Sequence, residues 1–176
     1  EGEYTQEDYA HQLIEEYTDA KIDSSQVLIQ SFQQNDVLYW LKKHPQFGKN
    51  AIFLDGRYLN PTFHPNHEET WDPKMKELWD SGIRTIAPPL WFLVQWNGHE
   101  MVPSAYAIAA KNTGLELITW TLERSDQPSV NEDWYFQGLK EGMLQEGDVY
   151  QVLHVLAQDV GVKGVFSDWP ATTTFY

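Results

Sequence analysis

Side chains able to do chemistry fall into a few groups in this 176-residue sequence. His64-Pro-Asn-His67, followed by Glu68 and Glu69, combines imidazole with carboxylate, both common ligands of divalent metals. Pro65 prevents the helical His-Glu-x-x-His geometry and no third ligand is set by spacing, so a solvated loop is expected. Asp126, Glu132 and Asp133 with Glu141, Glu146 and Asp148 form an acidic belt of oxygens suited to calcium. The regular spacing of a calcium loop is missing, however, and solvated surface is expected there too. No serine sits in a Gly-x-Ser-x-Gly elbow and no glycine-rich loop could cradle a phosphate. His154, among Val152, Leu153, Val155 and Leu156 in a helical pattern, is expected to be partly buried.

The chain carries 26 acidic against 12 basic side chains, a formal net charge of -14. That balance argues against a nucleic-acid partner, which needs a basic patch to neutralise phosphate, and against docking on anionic lipid. There is no cysteine, so disulfide scaffolds, thiol catalysis and thiolate zinc sites are excluded. Eight Trp, nine Tyr and eight Phe, within 41% hydrophobic residues, supply material for a core and argue against disorder. The length fits one domain over residues 1–176. The longest uncharged stretch, Thr85 to His99, is broken by Pro88 and Pro89 and is too short for a membrane span. The opening Glu1-Gly2-Glu3 carries no basic and apolar signal region.

The elements alternate. Thr5 to Asp19 reads as a helix, with Thr5 and Asp8 as a capping box and Ala10, Leu13, Ile14 and Tyr17 as its apolar stripe. A strand is expected over Gln26 to Gln30, then a helix capped by Asn35 and ending before Pro45. The strand Ala51 to Leu54 follows, closed by Asp55-Gly56. Asp72-Pro73 reads as a helix start, with Asp as cap and Pro in the first turn, and Gly82 as the stop. Arg84 to Pro88 reads as strand, Pro103 to Thr113 as helix and Leu115 to Leu122 as strand. A helix from Asp148 to Val160 and a strand from Val162 to Ser167 complete the pattern. Five αβ repeats demand a parallel sheet with right-handed crossovers. Two long segments, Gly56 to Glu69 and Arg124 to Gly147, break the rhythm in the manner of functional loops.

Three strand ends carry a resemblance. Val27-Leu-Ile-Gln-Ser-Phe32 ends in Ser-Phe, Glu116-Leu-Ile-Thr-Trp-Thr-Leu-Glu123 holds Trp-Thr, and Val162-Lys-Gly-Val-Phe-Ser-Asp-Trp-Pro170 holds Ser-Asp-x-Pro. In this order, with the Gly82 to Pro88 run and the Ala105 to Gly114 helix between them, they resemble the C-terminal half of the glycerophosphodiester phosphodiesterase family over about Tyr9 to Pro170. Glu123 stands where that family usually has Asn, and the 124–147 loop is longer than the family's.

The resemblance implies an α/β fold made of five βα units of a (β/α)8 TIM-like barrel, strands four to eight, lacking the first three. It implies hydrolysis of a glycerophosphodiester to an alcohol and glycerol 3-phosphate, with a divalent cation, Ca²⁺ or Mg²⁺. The family's His-Arg-Gly, Glu-x-Asp, His-Asp and Glu-x-Lys motifs have no counterpart here, so catalytic residues and metal ligands are expected outside this chain. A missing N-terminal half, in the same polypeptide or a companion chain, would complete the site, and the chain alone is expected to be inactive. This half would supply pocket walls. Trp120 at a barrel strand's carboxyl end would face the mouth and the alcohol part of the substrate, with Phe32, Ser31 and Asp168 as further substrate contacts. Packing of Trp120 and Phe32, and helix capping by Asp168, stand beside those roles. Without its partner strands the sheet would leave Ile29, Phe53 and Ile118 wet. A non-catalytic binding or structural module derived from the barrel is the alternative, and a glycosidase anchored on Glu123 is a more distant one. A periplasmic or extracellular location fits the acidic, cysteine-free, Trp-rich composition.

Overall fold

The computed structural model describes residues 2–122 and 134–176. Helix α1 (Gln6–Asp19) starts as its sequence requires: the Thr5 side chain accepts from the Asp8 amide, and Asp8 accepts from the Thr5 amide. Strand β1 (Gln30–Ser31) follows, then α2 (Gln34–Lys43) and the short α3 (Pro45–Gly48). Strand β2 (Ile52–Leu54), α4 (Met75–Asp80) and β3 (Thr85–Ala87) come next. An antiparallel hairpin, β4 (Val94–Trp96) and β5 (Met101–Pro103), precedes α5 (Ala105–Thr113) and β6 (Glu116–Leu122). Helix α6 (Val149–His154) runs on as a π-helical stretch, Val155–Val160, before β7 (Gly164–Ser167) and α7 (Pro170–Phe175).

The main sheet has five strands in the order β1-β2-β3-β6-β7, every neighbouring pair parallel. Spatial order equals chain order, so each right-handed crossover adds its strand on the same side. All the connecting helices then fall on one face of the sheet. The core has that composition. Phe53, Ile86 and Leu117, aligned by register across β2, β3 and β6, join Ile14 of α1, Trp40 of α2, Leu78 of α4 and Ala110 of α5 in one apolar cluster. Ile29 and Phe53 belong to that cluster at 3% and 5% exposure, which corrects the expectation that they line a wet face. The alternate positions point the other way, because successive strand side chains take opposite faces. There, Leu54, Thr85 and Ile118 are half-buried and Gln30 is exposed.

Local chemistry explains where the elements begin and end. Gly114 and Gly161 stop α5 and the π stretch with φ of +92° and +75°, conformations that glycine adopts without penalty. The first strand lies later than its apolar run suggests, because Asp23 caps a 3₁₀ turn at Ser24–Gln26 that uses up the start of that run. Asn35 does not cap α2; Gln33 is the N-cap residue and makes no side-chain cap. Asp72-Pro73 is a cis peptide, not a helix start. Helix α4 instead begins after Lys74, whose amide donates to Glu77 at 2.6 Å.

Among the described residues the five strands form an open sheet, with β1 and β7 as its edges. The belt residues Asp126, Glu132 and Asp133, the family-variant Glu123 and most of the long 124–147 segment's first half lie outside the described residues. Of the rest, Glu141 and Glu146 are exposed as expected. Asp148 is not part of a solvated belt: at 5% exposure it accepts from the amides of Leu144 and Gln145 and from Gln151 Nε2. His154 is exposed, not partly buried, with Nδ1 2.8 Å from the Tyr176 hydroxyl.

Candidate functional site

The carboxyl ends of the parallel strands converge on an aromatic wall. Trp120, near the end of β6, is its centre. Its amide and the Thr119 hydroxyl both donate to the Pro88 carbonyl, at 3.3 and 2.9 Å, and its Nε1 donates to the Ala87 carbonyl at 2.7 Å. Register on β7 slips around Trp120. Thr119 pairs with Val165 but Leu122 pairs with Ser167, so β6 carries one residue more than its partner over this stretch. A bulge of this kind re-aims side chains at a sheet's rim. Trp120 then meets Phe32, which follows β1, edge-on at 5.9 Å, Tyr58 at 6.0 Å and Trp134 in a stacked pair at 5.9 Å. Tyr135 and Trp91 complete the group, each against Trp134, at 5.0 and 5.8 Å.

The four residues expected to contact substrate therefore separate. Phe32, 49% exposed, and half-buried Trp120 are brought together at the carboxyl ends of their strands. Ser31 spends its hydroxyl locally, donating to Asp36 Oδ2 at 2.7 Å and accepting from the Gln33 amide at 3.0 Å. Asp168 is exposed beyond β7. Its neighbour Trp169 closes that turn by donating its amide to the Ser167 hydroxyl at 3.0 Å. Tyr58, Trp91, Trp134 and Tyr135 escaped the sequence reading. All four lie in three-residue 3₁₀ turns, too short for a period of two or of 3.6 to mark them. Their shared aromatic type near Pro- and Gly-rich turns was the available signal.

Beneath the wall lies a buried charged network. Asp55, the residue after β2, is fully buried, and its amide donates to the Ala87 carbonyl at 2.9 Å. Arg57 Nε donates to both Asp55 oxygens at 3.0 Å, and its two terminal nitrogens reach Asp55, the Pro73 carbonyl and, at 3.0 Å, the Tyr106 hydroxyl. The Tyr106 hydroxyl in turn donates to Asp55. Burial, reinforced by the Asp55 charge, raises the Tyr106 phenol well above its ordinary range, so it stays protonated as the donor this geometry needs. Burial opposes the charge on Arg57, but its partners outweigh that and hold it as a cation. The network ties the turn before Tyr58 to α5 and to the segment at Pro73.

The acidic groups near the site have other commitments. Asp55 is saturated by Arg57 and Tyr106, and Asp36 accepts from Ser31 and from Gln6 Nε2. Among the described residues no group of three His, Asp or Glu side chains is placed to hold a metal. His64 and His67 sit in an exposed loop with ring centres 4.4 Å apart, and His67 Nδ1 lies 3.5 Å from Glu69. The divalent cation implied by the resemblance has no fitting ligand set among these side chains. What the described residues at the strand ends offer is aromatic surface edged by backbone and side-chain polar groups, on which a ligand can pack.

The strand order and the rim of aromatic side chains define the class: a singly wound parallel α/β domain with its candidate site at the carboxyl ends of the strands. No family model matches the chain. A protein of Arthroderma benhamiae named "Extracellular protein" is 42% identical over 179 residues, covering 99% of this chain and 71% of its own length. The chain belongs to the family of that protein.

Proposed function

We propose that this chain is the substrate-recognition portion of a TIM-barrel phosphodiesterase that hydrolyses glycerophosphodiesters to an alcohol and glycerol 3-phosphate. The observation that supports the reading is the strand order: parallel strands laid down in chain order, as in a barrel, with Trp120 and Phe32 in contact at their carboxyl ends, the end at which barrel enzymes bind substrate. Doubly wound sheets reverse strand order at a switch point, and this sheet has no reversal. The relative's size agrees. If 179 residues are 71% of it, it has about 250, the typical length of a complete (β/α)8 chain. The surplus of about 70 residues leaves room for further βα units, which would pair with the edge strands β1 and β7 and cover the half-buried Leu54, Thr85 and Ile118.

In this reading the acid–base groups and the ligands of a Ca²⁺ or Mg²⁺ ion come from those further strands, in the same polypeptide or a companion chain. Trp120, Phe32 and Tyr58 pack against the substrate and keep water from it. The printed name of the Arthroderma protein supports an extracellular location for this one, in keeping with an acidic chain free of cysteine. The test is release of glycerol 3-phosphate from glycerophosphodiesters by the whole polypeptide that carries this chain, with added Mg²⁺ or Ca²⁺. Trp120→Ala is expected to raise KM about tenfold, the loss of roughly 1.4 kcal/mol of binding. Absence of hydrolysis by the whole polypeptide with either metal overturns the enzyme reading. A second reading, a binding module without catalysis, draws on the lack of an uncommitted acidic cluster among the described residues at the mouth; it requires the same ligands to bind and remain intact.

A further inference from the structure

Beside the wall, on the side of the β4–β5 hairpin, lies a cavity of about 360 Å³ lined by Trp91, Trp96, His64, Asn66, Gln95 and Gln137 among others. That is within the size range of small-ligand sites. It shares Trp91 with the mouth, where the same indole packs at 5.8 Å on Trp134, the stacking partner of Trp120. None of the described residues lining it is acidic, Lys or Arg. Its polar groups are amides and one imidazole, and they are held in place. Asn66 Nδ2 donates to Gln95 Oε1 at 2.7 Å, Asn66 Oδ1 accepts from the Ala105 amide at 2.9 Å, and Gln95 Nε2 donates to the Pro103 carbonyl at 3.3 Å. His64 Nδ1 accepts from the Asn66 amide at 3.1 Å, so the neutral ring carries its proton on Nε2 as a donor. Gln137 Nε2 is tied to the Trp134 carbonyl at 2.8 Å, which fixes the amide and orients its oxygen.

Trp96 is seated by a glycine. A Cβ on Gly142 would fall 2.5 Å from the Trp96 ring, so the indole lies directly against bare backbone. Two half-buried indoles with oriented amides, and no charge among the described lining residues, select one ligand chemistry. The C–H face of a cyclic polyol packs on indole while its hydroxyls exchange hydrogen bonds with amide and imidazole groups. A quaternary ammonium could also use the indole faces, but it has no hydroxyl to bond the amide positions left over or the His64 donor, so it gains nothing from the polar side of the cavity.

We propose that this cavity binds a neutral cyclic polyol, and, resting on the phosphodiesterase reading, that it is the subsite for the alcohol leaving the phosphodiester. The whole polypeptide is assayed with glycerophosphoinositol and glycerophosphocholine, and binding of free myo-inositol is followed by calorimetry and Trp fluorescence. The inositol diester is expected to show a KM at least roughly tenfold lower than the choline diester. Trp96→Ala and Gln137→Ala should each erase that preference by raising KM for the inositol diester alone, with kcat little changed; exposed Gln137 guards against loss of folding in the Trp96 variant. Hydrolysis of both diesters with equal KM, and no binding of myo-inositol, overturns the subsite while leaving the phosphodiesterase reading intact. Binding of myo-inositol that Trp96→Ala abolishes, without hydrolysis of any diester, overturns the phosphodiesterase reading and leaves a site for the free polyol. Neither binding nor hydrolysis removes both.

Discussion

Replacing Asp55 with alanine strands Arg57, a guanidinium 8% exposed, beside Tyr106 with no carboxylate to meet it. Breaking a buried ion pair from one side costs about 3–5 kcal/mol, because the remaining charge is left without a partner. Tyr106→Phe is gentler. It removes a hydroxyl that donates to Asp55 and accepts from Arg57 but keeps the ion pair, which is a loss of about 1.5–3 kcal/mol for hydrogen bonds to charged groups. The exposed Lys76–Asp80 pair on α4 is the control, and Lys76→Ala should cost less than about 1 kcal/mol. In urea, with an m-value of about 2 kcal/mol/M, these figures predict midpoints lowered by about 1.5–2.5 M for Asp55→Ala, and about 0.8–1.5 M for Tyr106→Phe. The double change Asp55→Leu with Arg57→Met removes both charges and should be more stable than Asp55→Ala alone. If Asp55→Ala moves the midpoint no further than Lys76→Ala does, the network is not under the desolvated load described here.

Two further outcomes are expected. His44 Nε2 lies 2.9 Å from His11 Nδ1, so both nitrogens cannot carry protons, and burial followed by repulsion from His11 lowers the His44 pKa below 6.5. The unfolded chain then binds the His44 proton more readily than the folded one. Its contribution to stability is complete above about pH 6.5 and is lost as the pH falls from there through the folded value. His44→Gln should flatten the urea midpoint against pH in that window, and an unchanged slope would remove His44 as its source. Gly114→Ala places a Cβ in a left-handed conformation, 3.3 Å from the Trp79 ring, and should destabilise by about 1–2 kcal/mol; a thermal midpoint equal to that of the parent would show that α5 can end without it.

The sequence carried the scaffold because the scaffold is built from local rules. The α1 cap needs only Thr5 and Asp8, the end of α5 needs only Gly114, and strand runs such as Ile52–Leu54 and Glu116–Leu122 declare themselves through apolar residues between turn signals. Failures came where one local rule met another. The Asp72-Pro73 pair satisfies the pattern of a helix start equally well as the pattern of a turn, and the fold uses it as a turn whose Pro73 carbonyl serves Arg57. The β4–β5 hairpin was missed because Pro88 and Pro89 and the polar turn at Asn97–Glu100 leave only short apolar runs between them. Of the site, Trp120 and Phe32 were legible from strand-end position. Tyr58, Trp91 and Trp134 were not, since what unites them is convergence in space from three loops.

Those segments also explain why the wall and the cavity beside it adjoin. The turn after β2 provides Tyr58, the turn after β3 provides Trp91, and the segment after β6 provides Trp134 and Gln137. Backbone and side chain share in holding the rim: Asp55 and Trp120 donate their amides to the Ala87 and Pro88 carbonyls, Ser104 donates its amide to the Leu93 carbonyl at 2.9 Å, and Arg57 bonds Asp55, the Pro73 carbonyl and Tyr106. With those bonds fixing the frame, the aromatic side chains at the rim are free to serve recognition. If the proposed subsite is correct, changing one of them alters ligand preference while leaving the sheet beneath intact, whereas changes at Asp55 or Arg57 weaken the frame itself. A specificity that moves with Trp96 and Gln137 but a stability that moves with Asp55 is the separation this arrangement requires.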